Sequence, residues 1–194
     1  VASETNICNM ALMRTGVTET ISNLNQQNKH GRVALAFYAV TRDAVLADFD
    51  WNFARKRQVL TPTAEAPATN WSYAFALPND CLKVRGLVVD GARCPKESQK
   101  IPYEIAGRFL FTDVANPELI YTGQVEDTGL FPPMFVSALA WALVPEFAIA
   151  LAIKGDMAAQ AGAAYGRIKE AAIGSDLSDG YDSEPESDFL TARY

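Results

Sequence analysis

The sequence predicts an α+β fold: a helical bundle built from the N- and C-terminal segments, with a small antiparallel β domain inserted between them. Three observations predict it. Apolar residues recur at helical spacing towards both ends of the chain. The stretch between carries prolines at 62, 67, 78, 95, 102 and 117, with short β-prone runs between them. The last segment is rich in Asp, Glu and Ser, a composition that buries too little apolar area to fold alone. These shifts set the expected boundaries: 1–54 plus 131–174 for the helical domain, 55–130 for the inserted β domain, and 175–194 for a flexible acidic tail.

The first element is a short helix over 3–15. Ser3 is its candidate N-cap, Ile7, Met10, Ala11 and Arg14 follow at helical spacing, and Gly16 stops it. Residues 17–28 are polar and read as a loop. A long helix is expected over 29–49. Val33, Phe37, Val40, Ala44, Ala47 and Asp48 trace a stripe that is apolar until its end; Ala36, Val45, Leu46 and Phe49 widen it. Arg32, Arg42, Asp43 and Asp48 are expected mostly on its other faces.

Six β-prone runs follow: 58–60, 72–75, 83–90, 103–105, 109–111 and 119–122. Asp90-Gly91 and Ala106-Gly107-Arg108 carry turn chemistry between them. Helical periodicity returns over 134–153, with a bend expected at Pro145 and an end at Gly155-Asp156. A second helix over about 157–173 is small-sided, with Ala158, Ala159, Ala161, Gly162, Ala163, Ala164 and Gly166. Such a surface allows a neighbouring helix to approach closely. The Gly162–Gly166 spacing is a weak packing signal by itself. No internal repeat is visible.

Composition narrows the function. Of 194 residues, 49% are hydrophobic, enough for a real core. Lys+Arg 17 against Asp+Glu 23 gives a net charge of −6. That balance argues against a protein whose main task is gripping nucleic acid, which takes clustered Lys and Arg. It leaves room for one that merely surrounds DNA. The three cysteines, Cys8, Cys81 and Cys94, lie far apart, and His30 is the only histidine. A zinc site is therefore not expected, and the cysteines read as small core residues with free thiols. Residues 1–13 lack the basic start and apolar run of a secretory signal, and the numbering is expected to start after removal of an initiator methionine. Residues 131–153 are long and apolar enough to suggest a membrane span. Pro132, Pro133, Pro145 and Glu146 favour instead a helix buried among helices or between subunits.

No residue is assigned a catalytic, cofactor-binding or metal-ligating role. A nucleophilic triad would have to use His30, expected at the surface, and no G-x-S-x-G, H-E-x-x-H or P-loop pattern occurs. Paired carboxylates could be drawn from Glu104, Asp113, Glu126 and Asp127, though nothing singles out a pair. A polysaccharide- or peptidoglycan-degrading hydrolase stands as the alternative on that ground. Arg55, Lys56 and Arg57 form the densest basic cluster, a candidate contact for DNA phosphates or an acidic partner, or simply a solvated turn. Trp51, Phe53, Trp71, Tyr73 and Phe75 are expected to pack across the junction of the long helix with the β domain. Phe189, Leu190, Arg193 and Tyr194 form an apolar and aromatic tip on the acidic tail, a candidate docking element.

Four blocks in fixed order carry a family resemblance: Trp51 to Ala54, Trp71 to Leu82, Leu119 to Thr122 and Phe131 to Leu143. A helix ending in W-x-F-A, then W-x-Y-A-x-x-L-P-x-D-C-L, then L-I-Y-T, then F-x-x-x-F-V-x-A-L-A-W-x-L resembles the tail tubular protein A group, the head-to-tail adaptors of short-tailed bacteriophages. The likeness spans roughly residues 1–174. It implies a structural virion protein, assembled in the host cytoplasm. Twelve copies, as in the family, would form a ring under the portal, joined to the tail tube or nozzle. DNA would pass through the lumen without being held. The tip at Phe189, Leu190, Arg193 and Tyr194 lies beyond the likeness; its large apolar groups have nothing local to cover them and are expected to dock onto the portal or a neighbouring subunit.

Overall fold

The computed structural model describes residues 2–63, 70–89, 101–153 and 157–178. It is an α+β fold with four helices and two small antiparallel sheets. The helices are α1 (Glu4–Arg14), α2 (Lys29–Asp48), α3 (Pro133–Ala150) and α4 (Met157–Ser178). The strands are β1 (Arg55–Val59), β2 (Tyr73–Ala76), β3 (Cys81–Val88), β4 (Glu104–Ala106), β5 (Phe109–Thr112) and β6 (Glu118–Gly123).

Local chemistry explains the helix ends. The Ser3 hydroxyl accepts from Asn6 N–H, which caps α1. At its other end Val17 N–H returns to Leu12 O and Gly16 N–H to Met13 O, with Gly16 at φ +85°. This paired closure needs a left-handed residue, and glycine adopts that conformation without strain. Asn28 caps α2 by accepting from Gly31 N–H at 2.7 Å. A Cβ at Gly31 would run into the Gln26 carbonyl, so the loop before α2 lies against the helix backbone itself. α3 closes as α1 does, through Ile153 N–H to Ala148 O and Ala152 N–H to Ile149 O. Here the left-handed position is Ala152, at φ 56°. The helix thus stops short of 153, and the Gly155-Asp156 stop lies outside the described residues. α4 runs to Ser178, past the expected boundary at 174; Gly174 lies within it and does not end it.

The helical core forms around α3, which packs against α1, α2 and α4. Phe135, Leu139, Leu143, Val144 and Phe147 are fully buried, and meet Ile7, Leu12, Leu46 and Trp51. Apolar length and composition alone would let α3 cross a membrane, at mean hydropathy 1.6, but half of it is buried among its neighbours. The loop before α2 is tied down by Asn9, whose side chain both accepts from Ile21 N–H and donates to Ile21 O.

α2 departs from expectation. Its buried residues are Gly31, Ala34, Tyr38, Arg42, Val45 and Leu46, whereas Val40 on the expected stripe is 70% exposed. Both sets recur at steps of three and four, so periodicity alone cannot choose between them. Arg42, expected on an outer face, is 4% exposed because Asp43 and Glu126 neutralise it within the fold. His30, expected at the surface, is also largely covered, with Nδ1 3.4 Å from Glu19.

All six β-prone runs form strands, but in two sheets, ordered β1-β6-β3 and β2-β5-β4. Gly107, at φ +60°, takes the first turn position of the β4–β5 hairpin. The Asp90-Gly91 turn lies outside the described residues. Leu119 and Tyr121 on β6 face the second sheet and join Leu60, Phe75, Leu87 and Leu110 in a small core. This core is separate from the helical one. The aromatic residues expected to share one junction are divided accordingly. Trp51 and Phe53 stack with Phe135 and belong to the helices. Tyr73 and Phe75 belong to the β core, and Trp71 donates to Glu104.

Candidate interaction surface

The exposed stripe of α2 has a role in surface shape. Phe37, Val40, Ala44 and Ala47 form one wall of an open groove of about 690 Å³, with Ala142 and Glu146 of α3 and Tyr165 of α4 opposite. The groove follows from helix geometry: α2 buries one stripe against α1 and α3 and leaves the second beside α4. Its polar end is organised by Asp48, which accepts from Tyr165 OH at 2.8 Å and pairs with Lys169 at 2.5 Å. Burial pushes the Asp48 carboxyl up, but the Lys169 and Tyr165 hydrogen bonds outweigh it and hold the group below its ordinary range. Burial and the Asp48 bond push the Tyr165 hydroxyl up. An apolar wall with charges at one end can take a partner's apolar side chains and fix their orientation.

The basic cluster lies on a strand, not in a turn. β1 is exposed along its length, and alternation sends Lys56 to the face opposite Arg55 and Arg57. Each has a carboxylate: Arg55 with Asp50 at 3.0 Å, Lys56 with Asp80 at 2.6 Å, Arg57 with Glu118 at 3.8 Å. Asp80 also accepts from Tyr121 OH. Burial pushes Asp80 up, and Lys56 outweighs this to leave it below its usual value. A partner's phosphate would have to displace these carboxylates.

The four carboxylates considered for hydrolysis serve the fold around them. Glu104 accepts from the Trp71 indole, Asp113 from Ser72 N–H and OH, and Asp127 from Gly129 N–H, while Glu126 approaches Arg42. Among the described residues no group of three or more His, Cys, Asp or Glu is placed to hold a metal ion. Cys8 is fully buried, and burial with Glu4 nearby pushes its thiol up to about 12. Cys81 is half-buried and also pushed up, first by burial. Cys94, and the tip at Phe189, Leu190, Arg193 and Tyr194, lie outside the described residues.

Two arginines matter more than sequence reasoning suggested. Arg42 donates to Asp43 at 2.8 Å, and Asp43 in turn accepts from Gln124. Burial draws the Arg42 guanidinium down, but the Asp43 bond and the negative charges of Asp43 and Glu126 together outweigh it and hold the group above its usual value. Arg85 reaches from β3 to the C-terminal carbonyls of α2. Neither left a signal in the sequence, since a buried arginine looks like an exposed one until its partners are placed. A scan against protein-family models finds no match to the chain, and a search of curated proteins finds none either.

Proposed function

We propose that this protein is a head-to-tail adaptor of a short-tailed bacteriophage: a structural ring subunit between the portal and the tail tube or nozzle, part of the DNA ejection channel. What carries the reading is the ordered set of blocks Trp51–Ala54, Trp71–Leu82, Leu119–Thr122 and Phe131–Leu143, which resemble the tail tubular protein A group. The role of these blocks in the fold agrees with a scaffold. Trp51, Phe53, Phe131 and Phe135 form one aromatic cluster, and Leu119 and Tyr121 centre the β core.

Two further features support it. The groove between α2, α3 and α4 presents apolar surface that a neighbouring subunit could cover, and burying such surface drives association. The net charge of −6, with β1 arginines and lysine already paired, suits a channel that lets DNA slide without holding it. The free subunit is a monomer or loose oligomer that closes into a ring on the portal. Electron-microscopy class averages of the protein mixed with its portal should display a ring of twelvefold symmetry. A stable dimer indifferent to the portal would overturn the reading.

A further inference from the structure

The helical and β cores are separate, and the chain crosses between them only at 49–54 and 124–132 among the described residues. Two such bodies reorient freely unless something fixes them. The fixing element is β3. Its pairing with β6 is interrupted twice: Cys81 and Lys83 face Gly123 and Thr122, and Val84 and Gly86 face Tyr121 and Ile120. Leu82 and Arg85 are the extra residues, one at each irregularity. A bulge re-aims the residue it inserts. Both are aimed at the helical body. Leu82 packs against the helical core.

Arg85 Nη2 donates to Phe49 O at 2.6 Å and Ala47 O at 3.1 Å, while its Nε donates to Thr122 Oγ1 at 2.8 Å. Thr122 lies on the face of β6 opposite Tyr121, so the guanidinium bridges that face to the end of α2. α2 has no basic residue in its last turn, and its C-cap, Phe49, is extended. The negative end of the helix dipole and its orphan carbonyls are therefore served by a side chain from the other body. Asp50 is 3.8 Å from Arg85 and is hydrogen-bonded to Arg55, so the carbonyls are the principal partners.

We propose that Arg85, presented by its bulge, is a latch: seated on the α2 carbonyls it fixes the β body against the helical body, and unseated it lets the β body swing about the two connections. The device does not depend on the adaptor reading.

Hydrogen exchange and small-angle scattering on Arg85→Met test it. Exchange of the last-turn amides of α2, residues 45–48, should rise about tenfold or more while α1 and β5 keep their protection. The pair-distance distribution should broaden. Unchanged exchange at the end of α2 would overturn the latch. So would an equal loss of protection across both bodies, which marks Arg85 as an ordinary stabilising residue. Should Arg85→Met fail to fold, Arg85→Lys decides by the same pattern, since one ammonium cannot span the hydroxyl and both carbonyls.

Discussion

Tyr38 is 3% exposed, and its hydroxyl makes no hydrogen bond among the described residues. A buried hydroxyl without a partner keeps its desolvation cost, roughly 1–3 kcal/mol, with no bond to offset it. Tyr38→Phe keeps the ring and removes that cost. Its expected effect is neutral to stabilising by about 1 kcal/mol, read as an unchanged or higher urea midpoint at constant slope. Ala152 is the second residue at odds with its place. α1 and α3 close with the same pair of hydrogen bonds, but α1 puts Gly16 in the left-handed position and α3 puts Ala152 there. A Cβ in that conformation costs about 1–2 kcal/mol, against the extra unfolded-state entropy of glycine. Ala152→Gly should therefore stabilise by about 0.5–1 kcal/mol in the same titration.

Individual elements depend on close approach as much as on propensity. The start of α2 is set by Asn28 and by the Gln26 carbonyl lying where a Gly31 side chain would be. Alanine is the better helix former, so propensity alone predicts that Gly31→Ala stabilises α2. The backbone clash reverses the sign. A loss of about 1–3 kcal/mol is expected, the range for overpacking against atoms that cannot move aside. Thermal unfolding checks it, and a rise in Tm would show that the 17–28 loop simply relaxes. The two stripes of α2 make a related point. One is core, with Arg42 paired inside it, and the other is a groove wall.

For the whole molecule, buried thiol and phenol groups and two paired carboxylates shape the pH range of stability. Cys8 and Tyr121 are pushed up to about 12, each by burial first, and Tyr38 and Tyr165 are pushed up too. Folded pKa values above the unfolded ones mean that the folded state holds these protons longer. The stability they contribute is complete below about 8.5 for the thiol and 10 for the phenols, and is lost as pH climbs towards 12. Asp48 and Asp80 act in the opposite direction: both are held below their ordinary values, so their contribution is present above about pH 4 and lost as pH falls further. Urea midpoints should therefore form a plateau near neutrality and fall on both flanks; a midpoint still rising at pH 11 would contradict this assignment. The groove yields an assembly prediction. Val40 is 70% exposed, so Val40→Lys should leave the circular dichroism and melting of the free subunit unchanged. Lysine also avoids adding negative charge beside Asp48 and Glu146 in the groove. Under the adaptor reading, portal-bound rings should become at least ~10-fold scarcer, a loss of about 1.4 kcal/mol or more in the free energy of assembly. Unchanged ring yield would remove the groove from the subunit contact.

The sequence by itself determined the kinds of element and their order. Caps at Ser3 and Gly16, prolines between short β runs, and helical spacing on either side are local signals, and local signals act within a few residues of themselves. It also marked an apolar stripe on α2 from Val33 to Ala47, and the basic run at 55–57. Tertiary structure alone decided what these are for. Periodicity cannot say which of two stripes on α2 faces α3, because that depends on where α1, α3 and α4 lie. The run at 55–57 looks like a free positive patch until Asp50 folds back on it from five residues away and Asp80 and Glu118 arrive from distant positions. Arg85 has the same cause: a bulge is a mismatch between two strands, so it exists only once β3 and β6 are paired, and only then is a side chain turned towards the end of α2.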